Sequence, residues 1–101
     1  FLVTVSCESK KQFKSKPLSL DRSYEIYSQA VTRMESGDWF YAHKKFAQAE
    51  LIMPDIDHAA QSLLMSSYCL YQINFYPEAQ ASLENYISKY PANKNIAYVK
   101  Y

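Results

Sequence analysis

A 37-residue offset at which the chain resembles itself constrains this sequence more than any other feature. Adding 37 to Gly37, Ala42, Phe46, Ala49 and Pro54 gives Asn74, Ala79, Leu83, Tyr86 and Pro91. Turn former meets turn former, proline meets proline, and apolar residues meet apolar residues between them. A fixed period of roughly 20–50 residues marks supersecondary units that stack because none buries its apolar face alone. The chain is therefore expected to be an all-α array of stacked helical hairpins, an α-solenoid that binds and does not catalyse.

The hairpins can be drawn residue by residue. From Asp21 to Ser36, apolar or small residues recur at three- and four-residue steps, Tyr24, Tyr27, Val31 and Met34 in one series and Ile26 and Ala30 in another, which is the helix period. Gly37 suits the left-handed position that ends a helix, and Asp38 suits the cap of the next. A second helix is expected from about Trp39 to Met53, halted by Pro54. Ala42 and Ala49 would let the paired helices approach, with Phe46 filling the gap. In the second hairpin, Asp55 or Asp57 caps a helix reaching about Ile73, and Asn74 makes the turn. Pro77 sits in a first turn, where its missing N–H costs nothing. A helix with Ala79, Leu83, Tyr86 and Ile87 stops at Tyr90-Pro91, and a fifth begins after Asn93 or Asn95.

The resulting division is 1–6 as the end of an apolar leader, 7–20 as a tether, 21–54 and 55–91 as two repeats, and 92–101 as the start of a third. Both ends read as cut from a longer sequence. Phe1 to Val5 is far shorter than the roughly 20 residues that span a bilayer. It reads as the end of a signal peptide's apolar region. Val5-Ser6-Cys7 has the shape of a bacterial lipoprotein cleavage site, with Thr4 where such sites usually carry Leu. Cys7 is therefore expected to be a lipid anchor; the alternative is a free cysteine in a tail. Lys10, Lys11, Lys14 and Lys16 read as a solvated linker, or as a patch that touches anionic headgroups.

Composition closes off other classes. Apolar residues make up 49%, enough for a core, while a single Gly among ten Tyr argues against a turn-rich β protein. Residues 1–22 carry a net +3 and residues 23–101 a net −2, so nucleic acid is not expected as a partner. No phosphate-cradling glycine loop, Ser/His/Asp set or apolar carboxylate pair occurs, and no catalytic residue is expected. His43 and His58 stand on different helices without partners at ligand spacing, so no metal or other cofactor is expected beyond lipid on Cys7. Cys69 reads as a small buried hydrophobe, not as a disulfide partner of Cys7.

The succession Ala42, Phe46, Ala49, Pro54 resembles the second helix of a tetratricopeptide repeat, with about three residues more than that repeat's usual 34 or so. In such stacks the first helix of each pair lines a concave groove. Taking Tyr27, Leu64 and Tyr101 as equivalent, the groove positions are Tyr24, Tyr27, Val31 and Met34, then Gln61, Leu64, Tyr68 and Tyr71, then Tyr98 and Tyr101. Tyrosine joins a large apolar ring to a polar tip and is favoured at binding surfaces. The alternative is that many of these rings pack between helices.

Further residues narrow the resemblance. Tyr24-Glu25-Ile26-Tyr27 with Ala30, Gly37-Asp38-Trp39 with Ala42, Tyr76-Pro77-Glu78-Ala79, and Tyr90-Pro91 followed by Asn95 to Tyr101 together resemble the BamD (ComL) family. These are outer-membrane lipoproteins of the Gram-negative β-barrel assembly machinery. The resemblance implies a palmitate-type lipid on Cys7 and location at the periplasmic face of the outer membrane. It implies as partners the barrel-forming subunit, other members of the complex, and unfolded outer-membrane proteins. The targeting signal of those substrates is a strand ending in an aromatic residue, which suits a tyrosine-lined groove. The alternative function is a periplasmic scaffold lipoprotein that organises cell-envelope complexes.

Overall fold

The computed structural model describes residues 18–96. They form four helices, α1 (Leu18–Glu35), α2 (Trp39–Ile52), α3 (Ile56–Gln72) and α4 (Tyr76–Lys89). Each packs on the next, α1 on α2, α2 on α3 and α3 on α4, with no strand among the described residues. This is the expected all-α, tetratricopeptide-like pair of hairpins. Cys7, Tyr98, Tyr101 and the residues after Ile96, where a fifth helix is expected to continue, lie outside the described residues.

The repeat reaches down to single hydrogen bonds. Gly37 and Asn74 both take left-handed backbone, with φ of 87° and 66°. At the first turn the Gly37 N–H donates to the Met34 carbonyl at 3.0 Å and the Asp38 N–H to Arg33 at 2.9 Å. At the second, Asn74 donates to Tyr71 and Phe75 to Leu70, both at 3.0 Å. All four donors and all four acceptors are related by the same offset, and the pattern is a Schellman close. The Asp38 side chain then accepts from the Tyr41 N–H and the Asp55 side chain from the His58 N–H. Asp55, not Asp57, caps α3. Phe75 has no capping side chain.

Burial follows the offset as well. Ser23 and Ala60, Ile26 and Leu63, Ala30 and Ser67, and Ala42 and Ala79 are all buried. Size does not always follow. Phe46 and Ala49 of α2 are fully buried, whereas α4 has half-buried Leu83 and fully buried Tyr86 in their places. The large ring moves by one helical turn between the repeats. α3 lies between α2 and α4 and is built from small residues, with Ala59, Ala60, Ser62, Ser66, Ser67 and Cys69 all buried. Small side chains allow close helix approach, and their hydroxyls find partners. Ser66 Oγ donates to the His43 carbonyl of α2 at 2.9 Å, and Ser67 Oγ meets Ser82 Oγ of α4 at 2.5 Å.

The start of α1 differs from the expectation, while the restart of helix after Asn95 agrees with it. α1 begins at Leu18 and not at Asp21, because Leu18-Ser19-Leu20 holds no breaker and extends the helical run. The link after α4 is longer than the one after α2. Three residues separate Ile52 from Ile56, whereas helix resumes after Lys89 only at Ile96. The buried Tyr86 hydroxyl bonds the Asn93 side chain, and the Asn95 N–H donates to the same Asn93 oxygen at 3.1 Å. That pair holds the longer link in place.

Candidate functional site

The groove positions named above separate into two groups. Tyr27, Val31 and Met34 are half-buried and lean onto the cluster of Ala30, Ala42, Phe46 and Cys69. The Tyr27 ring meets Phe46 edge-on at 5.2 Å, and burial raises its hydroxyl pKa. Leu64 is half-buried against Ala60, Leu63 and Tyr86. The open positions are Tyr24, Tyr68 and Tyr71, at 43%, 48% and 57% exposure, with Gln61 half-buried between them.

Tyr68 and Tyr71 stand on the last turns of α3, near the hairpin turns, and other aromatic residues join them there. Trp39 meets Tyr68 edge-on at 5.8 Å, Phe40 meets Phe75 at 6.3 Å, and Tyr71 meets Tyr76 at 5.3 Å. The first two pairs cross from one hairpin to the other. Phe40, Phe75 and Tyr76 are exposed, and Lys44 Nζ lies 5.0 Å from the Phe40 ring centre. Exposed apolar groups gathered at one place mark contact surfaces. The groove assignment left out Trp39, Phe40, Phe75 and Tyr76 because it took only the first helix of each pair. The offset itself held a signal, since Trp39 and Tyr76 are 37 apart.

The opposite end of the same face is polar. Tyr24 meets His58 edge-on at 5.8 Å. An open cleft of about 440 Å³ lies beside them, lined by Asp57, His58, Gln61, Ala92, Asn93, Lys94 and Asn95. His58 Nδ1 lies 2.6 Å from the Asp55 carboxylate. That carboxylate sits below its ordinary pKa, first because it accepts from the His58 backbone N–H and then through the ring. The described face therefore runs from amide, imidazole, carboxylate and ammonium groups at one end to stacked rings at the other. Such a surface can take a peptide, with apolar side chains on the rings and backbone groups facing donors.

Among the described residues the one thiol is not displayed. Cys69 is free and buried in the α1–α2–α3 core, and burial pushes its thiol up to about 11. A thiol so raised stays protonated near neutral pH and is a poor nucleophile. No group of three metal-ligating side chains forms among the described residues, and no described helix is long and apolar enough to cross a membrane.

Comparison with known proteins gives a consistent match. The profile of the family described as YfiO, outer membrane lipoprotein, matches residues 20–101. The outer membrane protein assembly factor BamD of Caulobacter vibrioides is 30% identical over 89 residues, covering 88% of this chain and 28% of that protein. BamD of Xylella fastidiosa strain 9a5c is 28% identical over 76 residues, covering 75% of this chain and 26% of that protein. The chain thus spans about a quarter of the length of these relatives. No solved structure matches it significantly.

Proposed function

The chain belongs to the YfiO/BamD family of outer-membrane lipoproteins, and on that premise we propose that it is a non-catalytic part of an outer-membrane protein assembly factor. In this reading it holds unfolded strands of outer-membrane β-barrel proteins on the face that runs from Tyr24 to Tyr71. A lipid on Cys7 holds it at the periplasmic side of the outer membrane, beside the barrel-forming subunit and the other members of the complex.

The observation that carries the reading is the run of open Tyr24, half-buried Gln61 and open Tyr68 and Tyr71, continued by the aromatic pairs at the hairpin turns. A strand presents side chains alternately to its two faces, so one side of a substrate strand can sit on rings while its backbone meets amides and hydroxyls. Covering the open half of one tyrosine contributes on the order of 1–2 kcal/mol. Two such rings give binding that is selective for apolar strands yet readily reversed, as a factor that must release its substrate requires.

The test is a titration of the chain carrying Cys7→Ser with a labelled peptide from the last strand of a porin, followed by anisotropy. Saturable binding is expected. It should weaken about tenfold or more in the Tyr68→Ala/Tyr71→Ala variant, since each 1.4 kcal/mol is a factor of ten. It should also weaken when the peptide's terminal aromatic residue is replaced by Ala. A folded chain that ignores the peptide would overturn strand capture and favour a scaffold role in the cell envelope.

A further inference from the structure

A buried carboxylate ties the two hairpins together at a place the peptide face does not use. Glu50, in the last turns of α2, is 7% exposed. Its Oε2 accepts from Lys89 Nζ at 2.6 Å and from the Tyr90 hydroxyl at 2.6 Å. Lys89 ends α4 and Tyr90 is its C-cap. The hairpins otherwise meet mainly where α2 packs on α3, and α2 and α4 have little other contact.

Tyr90 does more than supply a hydroxyl. Its half-buried ring packs against the cluster of Ile26, Ala49, Met53 and Ala59, which joins α1, α2 and α3. It also packs against Ala60, Leu63 and Tyr86, which join α3 and α4. One ring therefore touches both cores, and the Glu50 carboxylate fixes its tip. Burial, then the bond to Glu50 and its charge, hold the hydroxyl pKa well above the ordinary tyrosine value, as expected for a proton kept on that bond.

Energy alone does not account for the carboxylate. A buried ion pair is often no more stabilising than well-packed apolar residues of similar volume, whereas removing one partner is costly. Directional groups admit fewer arrangements than apolar ones. Two hairpins joined mainly by α2 on α3 can rock about that contact; a further connection from α2 to the end of α4 braces it.

We propose that Glu50, Lys89 and Tyr90 form an inter-repeat lock that fixes the angle between the two hairpins. The lock places Tyr24 of the first hairpin relative to Gln61 and Tyr68 of the second. It holds whatever that face binds, so it stands apart from the reading of the peptide surface.

The test measures the angle directly. Spin labels are placed at Gln29→Cys on α1 and Asn85→Cys on α4, both exposed, in the chain carrying Cys7→Ser. Buried Cys69 is left in place. Label-to-label distance distributions are compared for the parent, Glu50→Gln, Lys89→Met and Tyr90→Phe, with Glu84→Gln as an exposed-carboxylate control. Circular dichroism verifies that helix content is retained. Glu50→Gln and Tyr90→Phe are expected to shift and broaden the distribution. Lys89→Met should do so less, because the lysine side chain is 42% exposed, and the control should not. If Glu50→Gln does not fold, Tyr90→Phe and Lys89→Met each leave the carboxylate one partner and carry the comparison. Narrow, unshifted distributions in the folded variants would overturn the lock, even if their stability fell.

Discussion

Trp39 of the first hairpin and Tyr68 of the second meet edge-on at 5.8 Å across the seam between the repeats. The chain's single tryptophan therefore reports on the surface proposed to bind peptide. Tyr68→Ala is expected to shift Trp39 emission to the red and to raise its quenching by acrylamide, with helix content unchanged. The stability cost should be about 1–3 kcal/mol, from the aromatic pair together with the lost burial of the covered half of the ring. Unchanged emission would mean that the two rings do not meet in solution.

The hairpin turns predict an asymmetry between two equivalent positions. Nothing lies within 4 Å of a Cβ built on Gly37, but its φ is 87°. Gly37→Ala should cost about 1 kcal/mol from backbone conformation alone. Asn74→Ala should cost a similar amount, while Asn74→Gly relieves the backbone and loses only the exposed bond from the Tyr76 hydroxyl. Urea denaturation of the three variants checks this order. A Gly37→Ala chain as stable as the parent would contradict it.

Burial of tyrosines sets a direction at high pH. Tyr27, Tyr86 and Tyr90 all have hydroxyl pKa values raised above 10.0, in each case with burial as the largest cause. A raised value means that the unfolded chain loses these protons first. The associated stability is thus fully present below about pH 10 and is lost as pH rises through the folded values. Alkaline unfolding is expected to begin above pH 10, and Tyr90→Phe should make the decline shallower. Identical alkaline limbs for parent and variant would count against the Tyr90 environment.

Thiol chemistry gives a folding readout. With its thiol pushed up to about 11 and its side chain buried, Cys69 should resist Ellman's reagent in the Cys7→Ser chain. It should react fully in urea. Rapid labelling in buffer would show that the α1–α2–α3 core opens readily.

The link after α4 can be tested at one hydroxyl. Tyr86→Phe removes the bond to Asn93, the acceptor that also holds the Asn95 N–H. A loss of about 1 kcal/mol is expected, with faster hydrogen exchange at the Asn95 amide. Unchanged exchange there would mean that the link is held by other contacts.

How much of this was legible in the sequence depended on whether the feature repeats. Gly37 and Asn74, the buried alanines Ala42 and Ala79, and the prolines all obey the offset, and the helices with their turns could be drawn from them. The offset equates positions without saying which way a side chain leans. Tyr27, Val31 and Met34 turn toward Phe46 and Cys69, while Tyr68 and Tyr71 stay open, although Val31 and Met34 match them position for position. Glu50 was invisible for a different reason. Its position one repeat on holds Ile87, and its partners lie 39 and 40 residues away, so no periodic pattern joins them. The early start of α1 at Leu18 is a local matter, decided by the absence of a breaker, whereas the restart of helix after Asn95 was legible from Pro91 and the asparagines.

The displaced ring, Phe46 in α2 but Tyr86 a turn further along α4, bears on how such arrays can be rebuilt. The two hairpins look like interchangeable modules in outline, yet their cores are complementary only to their own neighbours. Grafting α2 in place of α4 would set Ala49 where Ala60 and Leu63 enclose an aromatic ring, and would place Phe46 where a leucine sits. Engineering of this chain by duplicating or shuffling repeats should therefore move each hairpin together with the facing helix of the next.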